Sequence, residues 1–263
     1  MRNRIVAAVL AAPLSMFAAA SFAQGSNDHV PPQPPAQAMP AMSDAEMTSV
    51  MEMDDAAMIA MFKTDELETG HRDRATTTAW NLAATYGGDF DKLWLRSEGE
   101  HDAHSTDARV EALWDHAFAA FWDWQLGVRQ DLGDGPGRGW AAFGVQGIAP
   151  YWFTIEATAY VGRGGEVAAR LRVEYEFLLT QRLVLQPEAE INAYSRDDRA
   201  RGIASGLSDA ELGLRLRYEW RREIAPYLGI VRGYRHAVRV ALPEATRLRG
   251  SDTRLVAGVR LWF

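Results

Sequence analysis

The chain has 263 residues, no cysteine and a formal charge of −7. The missing thiols exclude disulfide stabilisation, thiolate metal sites and thiol catalysis. The acidic balance argues against nucleic acid as a partner and mildly favours attraction of cations.

Arg2 and Arg4 give a positive start, an apolar stretch runs from about Ile5 to Ala20, and Ser21-Phe22-Ala23 sets small residues at the −3 and −1 positions of a cleavage site. Residues 1–23 read as a secretory signal, so Gln24 opens the mature chain. A membrane anchor is the alternative, against which stand the shortness of the run and its cleavage-type end. Cleavage removes Arg2 and Arg4 and takes the charge from −7 to about −9. Beyond the signal, no segment offers the ~18–20 uninterrupted apolar residues that a membrane helix needs. A barrel stays open, because its alternating strands escape hydropathy averages.

Residues 24–42 are rich in Pro, Ala, Gln and Ser. The run Pro31-Pro32-Gln33-Pro34-Pro35 excludes helix and central strand, and the segment reads as an extended, solvated linker. The stretch 43–62 is different. Of nine methionines, Met1 and Met16 fall in the signal, and the others are Met39, Met42, Met47, Met51, Met53, Met58 and Met61, with none in the 202 residues that follow. Ser43-Asp44-Ala45-Glu46 has the form of a capping box, which predicts a helix from about Asp44 to Phe62. On such a helix Met47, Met51, Met58 and Met61 fall within about 80° of one another.

From about Lys63 the period changes to two. Phe153, Ile155, Ala157, Ala159 and Val161 alternate with Thr154, Glu156, Thr158 and Tyr160; Leu212, Leu214, Leu216 and Tyr218 alternate with Glu211, Arg215, Arg217 and Glu219. Similar rows recur to Phe263. The strands are long enough to cross a bilayer when tilted. Connections read as alternately short, near 87–89, 117–119, 149–150, 180 and 221–222, and longer, at about 100–107, 132–138, 162–166, 195–206 and 236–250. Tyr86, Phe121, Trp122, Tyr151, Trp152, Trp220 and Tyr227 gather beside the short turns, as an interfacial girdle would. Eleven strands are clear from Thr76 onward. A bacterial barrel has an even number, so Lys63–Thr69 is expected to supply a twelfth. The expected fold is all-β: an antiparallel transmembrane β-barrel of about 12 strands over 63–263, preceded by a short Met-rich helix.

The inward rows are charged: Glu68, Arg96, Glu98, Glu111, Asp123, Arg129, Glu156, Arg170, Arg172, Glu174, Glu176, Arg182, Glu188, Glu190, Glu211, Arg215, Arg217, Glu219, Arg254 and Arg260. They read as a ladder of ion pairs that holds a narrow barrel nearly shut or, alternatively, as a charged conduit. His71, His101, His104 and His236 fall on the outer side, with His116 near a periplasmic turn and His29 in the linker. His101 and His104, with Glu100, are candidate metal ligands, against the plainer reading of solvated loop residues. No Gly-x-Ser-x-Gly, His-Glu-x-x-His or phosphate-cradling loop occurs, so no catalytic residues are assigned and no enzyme is expected.

The pieces LWLRSEGE at 93–100, FWDWQLGVRQD at 121–131, GVQGIAPYWF at 144–153, TQRLVLQPEAEINAYSRDD at 180–198 and SGLSDAELGLRLRYEWRREIAPYLG at 205–229 closely resemble the copper resistance protein B family. The resemblance covers nearly all of 63–263. It implies an outer-membrane barrel that works with periplasmic copper-handling proteins in copper tolerance. It also implies a metal-binding N-terminal segment, a role that falls here to Met39, Met42, Met47, Met51, Met53, Met58 and Met61. This segment is Met-rich and His-poor, which favours Cu(I) over Cu(II), since thioether sulfur is a soft ligand.

The function expected is copper binding through that segment and copper export or sequestration across the outer membrane, with the N-terminal segment in the periplasm and the barrel in outer-membrane lipid. Alternatives are a general diffusion porin with an N-terminal plug, and a structural or adhesive barrel acting through its 195–206 and 236–250 loops. A packing role for the methionines competes with the ligand role, because Met fills irregular gaps.

Overall fold

A sheet with one face toward lipid must close on itself, because nothing in hydrocarbon satisfies an open edge. This sheet closes. The structure is a computed structural model describing Ser43 and residues 57–72, 75–103, 105–241 and 244–263, without the side chains of 72, 75, 237–241 and 244–249. The strands are β1 (Ile59–Arg72), β2 (Ala75–Gly87), β3 (Asp91–His101), β4 (Thr106–Ala119), β5 (Trp122–Gly133), β6 (Arg138–Ala149), β7 (Phe153–Gly162), β8 (Val167–Glu174), β9 (Phe177–Leu178), β10 (Leu183–Tyr194), β11 (Gly206–Tyr218), β12 (Ile224–Ala241) and β13 (Glu244–Trp262).

Each strand pairs antiparallel with its neighbours in the ring, and β13 returns to β1. At the seam Phe62 and Phe263 exchange backbone hydrogen bonds of 2.9 and 2.8 Å. The segments β8 and β9 are two halves of one stave, so the barrel has twelve staves. The break has a local cause. Tyr175 N–H donates to Pro187 O at 3.1 Å, but proline has no N–H to return the bond.

The twelfth stave that strand parity demands is β1, and it begins at Ile59, earlier than expected. Met61 and Phe62 are therefore strand, so the expected helix to Phe62 does not extend through Ile59–Phe62, and its 44–56 portion lies outside the described residues. Helical and alternating patterns compete in Ile59–Phe62. The strand prevails because it pairs Ile59–Phe62 with Gly87–Ala84 of β2.

Turns at 88–90, 120–121, 150–152, 179–182 and 219–223 share one end with the seam's Phe62 and Phe263, here the terminal end. Connections 102–105, 134–137, 163–166 and 195–205 lie at the other, the loop end. Only 195–205 among these is long. The expected long loop 236–250 is a hairpin, with β12 and β13 paired out to Ala241↔Glu244. Strand-forming Val238, Val240 and Thr246 carry the pairing on where a loop was expected.

Outward rows such as Leu212, Leu214 and Leu216 are exposed, as a lipid-facing band requires. Tyr86, Phe121, Tyr151, Trp152 and Trp220 are exposed near the terminal end, as the girdle reading expects. Tyr227 departs from it. It is buried in the lumen, because Ala225, Tyr227 and Val231 form the inward row of β12.

Candidate functional site

Alternation delivers the charged rows to the lumen, and bulk there forces them together. Arg170 on β8 donates to Glu98 on β3 at 2.8 Å and to Glu190 on β10 at 2.7 Å. Arg109 on β4 bridges the same two acids at 2.6 and 3.3 Å. One level along, Arg172 meets Glu66 of β1 at 2.9 Å and Glu188 of β10 at 2.6 Å. Arg215 on β11 then joins Glu66, Glu68 and Glu188 at 3.3, 3.0 and 3.0 Å. Tyr227 donates its hydroxyl to Glu68 at 3.0 Å. Several of these pairs join strands from opposite walls, so they form a belt across the lumen. Buried charges are tolerable only when paired this closely.

Further pairs lie to either side. Arg96 meets Glu156 at 3.3 Å, Arg254 meets Glu100 and Glu211 at 3.2 and 2.9 Å, and Arg260 meets Glu176 at 2.8 Å. One wall is partly apolar, where Leu113, Trp140, Ala142, Tyr160 and Ala168 cluster. Tyr160 still donates to Glu111 at 2.8 Å, and Trp140 to Asp131 at 2.9 Å.

The belt divides the space into chambers. An outer chamber of about 270 Å³ at the loop end and a middle one of about 200 Å³ share Glu98 and Arg172 as wall. The middle chamber shares Lys63, Glu176 and Arg260 with an inner one of about 350 Å³ that includes Met61. The outer chamber is roofed by Arg201, Gly202 and Ile203 of the 195–205 connection. Arg138 holds that connection by donating to Asp198 at 2.8 and 3.2 Å. Partial burial pushes the Asp198 carboxyl up, but hydrogen bonding and charge from Arg138, with the amides of Arg201 and Ala200, hold it below the ordinary 3.8. A lowered carboxyl stabilises the folded loop above its unfolded value, and that contribution is lost as pH falls below about 3.8.

The sequence-expected ligands separate. Met39, Met42, Met47, Met51, Met53 and His104 lie outside the described residues. Met58 precedes β1 and is 57% exposed. Met61 lies in β1, so the two share no helical face. His101 ends β3, and its Nδ1 stands 2.8 Å from Thr106 Oγ1. Among the described residues no three His, Cys, Asp or Glu side chains group so as to hold a metal ion.

Most of the expected inward residues do line the lumen. Arg182 does not; it falls in the exposed 179–182 turn, past the end of the stave. Arg109, Asp115, Asp131, Glu66, Asp65 and Lys63 are among the inward residues missed. Arg109 and Glu66 follow from parity with Glu111 and Glu68. Asp65 does not, because a register shift between Thr64 and Glu66 changes the phase of β1.

Comparison with known proteins gives a family match over residues 58–263, described as "Copper resistance protein B precursor (CopB)". Copper resistance protein B of Escherichia coli is 43% identical over 210 residues, covering 80% of this chain and 71% of that protein. A copper resistance protein B homolog of Pseudomonas syringae pv. tomato (strain ATCC BAA-871 / DC3000) is 42% identical over 234 residues, covering 86% and 79%. Among solved structures, the NanC porin in a rhombohedral crystal form is similar with a TM-score of 0.52 at 15% identity, covering 74% of this chain and 98% of that one. That likeness is one of fold alone.

Proposed function

The chain belongs to the copper resistance protein B family, and from that premise we propose that its methionines bind copper and support copper export or sequestration across the outer membrane. The barrel is an outer-membrane one, and the terminal end, which carries Met61, faces the periplasm in this reading. There it meets periplasmic copper-handling proteins.

One observation carries the proposal. Every methionine after Met16 falls in 39–61, and none lies beyond. A packing residue would be scattered through the barrel, whereas a ligand set is concentrated. Thioether sulfur suits Cu(I) where thiolates are absent. Met39, Met42, Met47, Met51, Met53, Met58 and Met61 are the donors, and Met61 brings the last sulfur to the wall of the inner chamber. His101 and His104 are a secondary candidate at the loop end, with imidazole suited to Cu(II).

The test is copper accumulation in cells carrying the intact protein, none, or a variant with Met47, Met51, Met58 and Met61 changed to Leu. The reading expects the variant to behave as the deletion does. A variant that protects as well as the intact protein would rule it out.

The chambers favour a second reading, a diffusion porin gated by its N-terminal segment. It expects conductance in planar bilayers that copper leaves unchanged and that deletion of residues 24–62 raises. Copper sensitivity unaltered by gene deletion would favour this reading over the first.

A further inference from the structure

The connection 195–205 springs from β10 and β11, yet its anchors are on β4, β6 and the 134–137 turn, several staves away around the ring. It therefore crosses the mouth. Arg201 is a loop arginine with only 6% side-chain exposure. Its guanidinium donates to Leu132 O at 3.1 Å, Pro136 O at 3.3 Å and the Asp107 carboxylate at 3.2 Å. It reaches them over Gly135, where a Cβ would stand 2.7 Å from Arg201 Cγ. The following Gly202 takes φ +72°, a conformation that glycine adopts without strain. Inside the loop, Asp198 and Ile203 exchange two backbone bonds of 2.9 Å, so the crossing segment is itself ordered as a turn. A notch for the arginine, a glycine at the bend and a second pair at Arg138–Asp198 make this a built seat.

We propose that residues 195–205 form a latched lid, held by Arg201 and Arg138, which opens to admit small hydrated solutes from the loop end into the outer chamber. The latches differ from the belt in their exposure. One partner in each latch is well exposed, Asp107 at 62% and Arg138 at 34%, so dissolved cations compete with Arg201 for Asp107 and dissolved anions with Asp198 for Arg138, whereas the belt pairs are screened much less. A lid needs this difference, because a closure as buried as the belt would not open without unfolding the barrel. No step involves copper, so the lid stands or fails separately from the copper reading.

The absence of cysteine makes the test clean. Ser208 lines the outer chamber beneath the lid and is 4% exposed. Ser208→Cys in the full-length, folded barrel supplies one thiol, probed with a small cationic methanethiosulfonate. Ala103→Cys, at an exposed position just after β3, is the reference. The proposal expects slow labelling of Ser208→Cys in the latched protein. Adding Arg138→Ala should speed it by up to about fivefold, as loss of one solvent-accessible pair allows, and Arg201→Ala, which also loses the bonds to Pro136 O and Leu132 O, should speed it more, with Ala103→Cys unaffected. Raising salt to about 1 M, where the screening length is ~3 Å, should speed it with no latch substitution at all. The salt arm holds even if a latch variant fails to fold, and heat-modifiable gel mobility identifies that failure. Labelling of Ser208→Cys as fast as Ala103→Cys in the latched protein overturns the lid. So does a rate that neither salt nor the folded latch variants change.

Discussion

The methionine segment and the barrel divide the chain's chemistry between them. Residues 39–61 hold seven thioethers, and the 202 residues after Met61 hold none. The barrel instead concentrates arginine and carboxylate, locked to each other across the lumen. Soft donors select soft metal ions, whereas carboxylates already paired to arginine offer a metal little. Copper affinity and barrel stability should therefore be separable properties of one chain.

Substitutions can break that separation or sharpen it. The largest effect is expected at Arg215, whose removal strands Glu66, Glu68 and Glu188. Arg215→Ala should cost ~3–5 kcal/mol, read as a lower denaturant midpoint, while the Cu(I) stoichiometry of the folded protein stays the same. A changed stoichiometry would show that the lumen contributes copper ligands. Tyr227→Phe removes one hydrogen bond to Glu68. About 1.5–3 kcal/mol of stability should be lost, again without effect on copper. Arg138→Ala breaks a pair nearer solvent, and global unfolding should shift by only ~0.2–1 kcal/mol. Met58→Leu and Met61→Leu conserve volume, and neither should cost the barrel more than ~1.5 kcal/mol. A Met61→Leu barrel that unfolds markedly earlier would return Met61 to the role of packing residue.

Much of the barrel was legible because its period is two and its staves must close in even number. That reasoning located β1, a strand with few apolar residues. It misplaced the boundary at Ile59–Phe62, where Met58 and Met61 also fit a helical face. What decides there is the edge of β2, invisible in a local pattern. Tyr227 was read as girdle from its neighbours at the turn, although parity with Ala225 and Val231 turns it inward. Asp65 depends on a register shift, and the seat of Arg201 depends on a bare Cα at Gly135, distant in sequence. Periodicity encodes which face a side chain takes but not which partner it finds across a lumen.

The most direct test of the copper assignment is equilibrium Cu(I) titration, against a competing chelator, of the full-length protein and of its variant with Met47, Met51, Met58 and Met61 changed to Leu. The intact protein should bind far more tightly than millimolar, and the variant, with its barrel folded and gel mobility unchanged, should lose that binding. Equal affinity in the two proteins, or no binding tighter than millimolar in the intact one, would contradict the assignment.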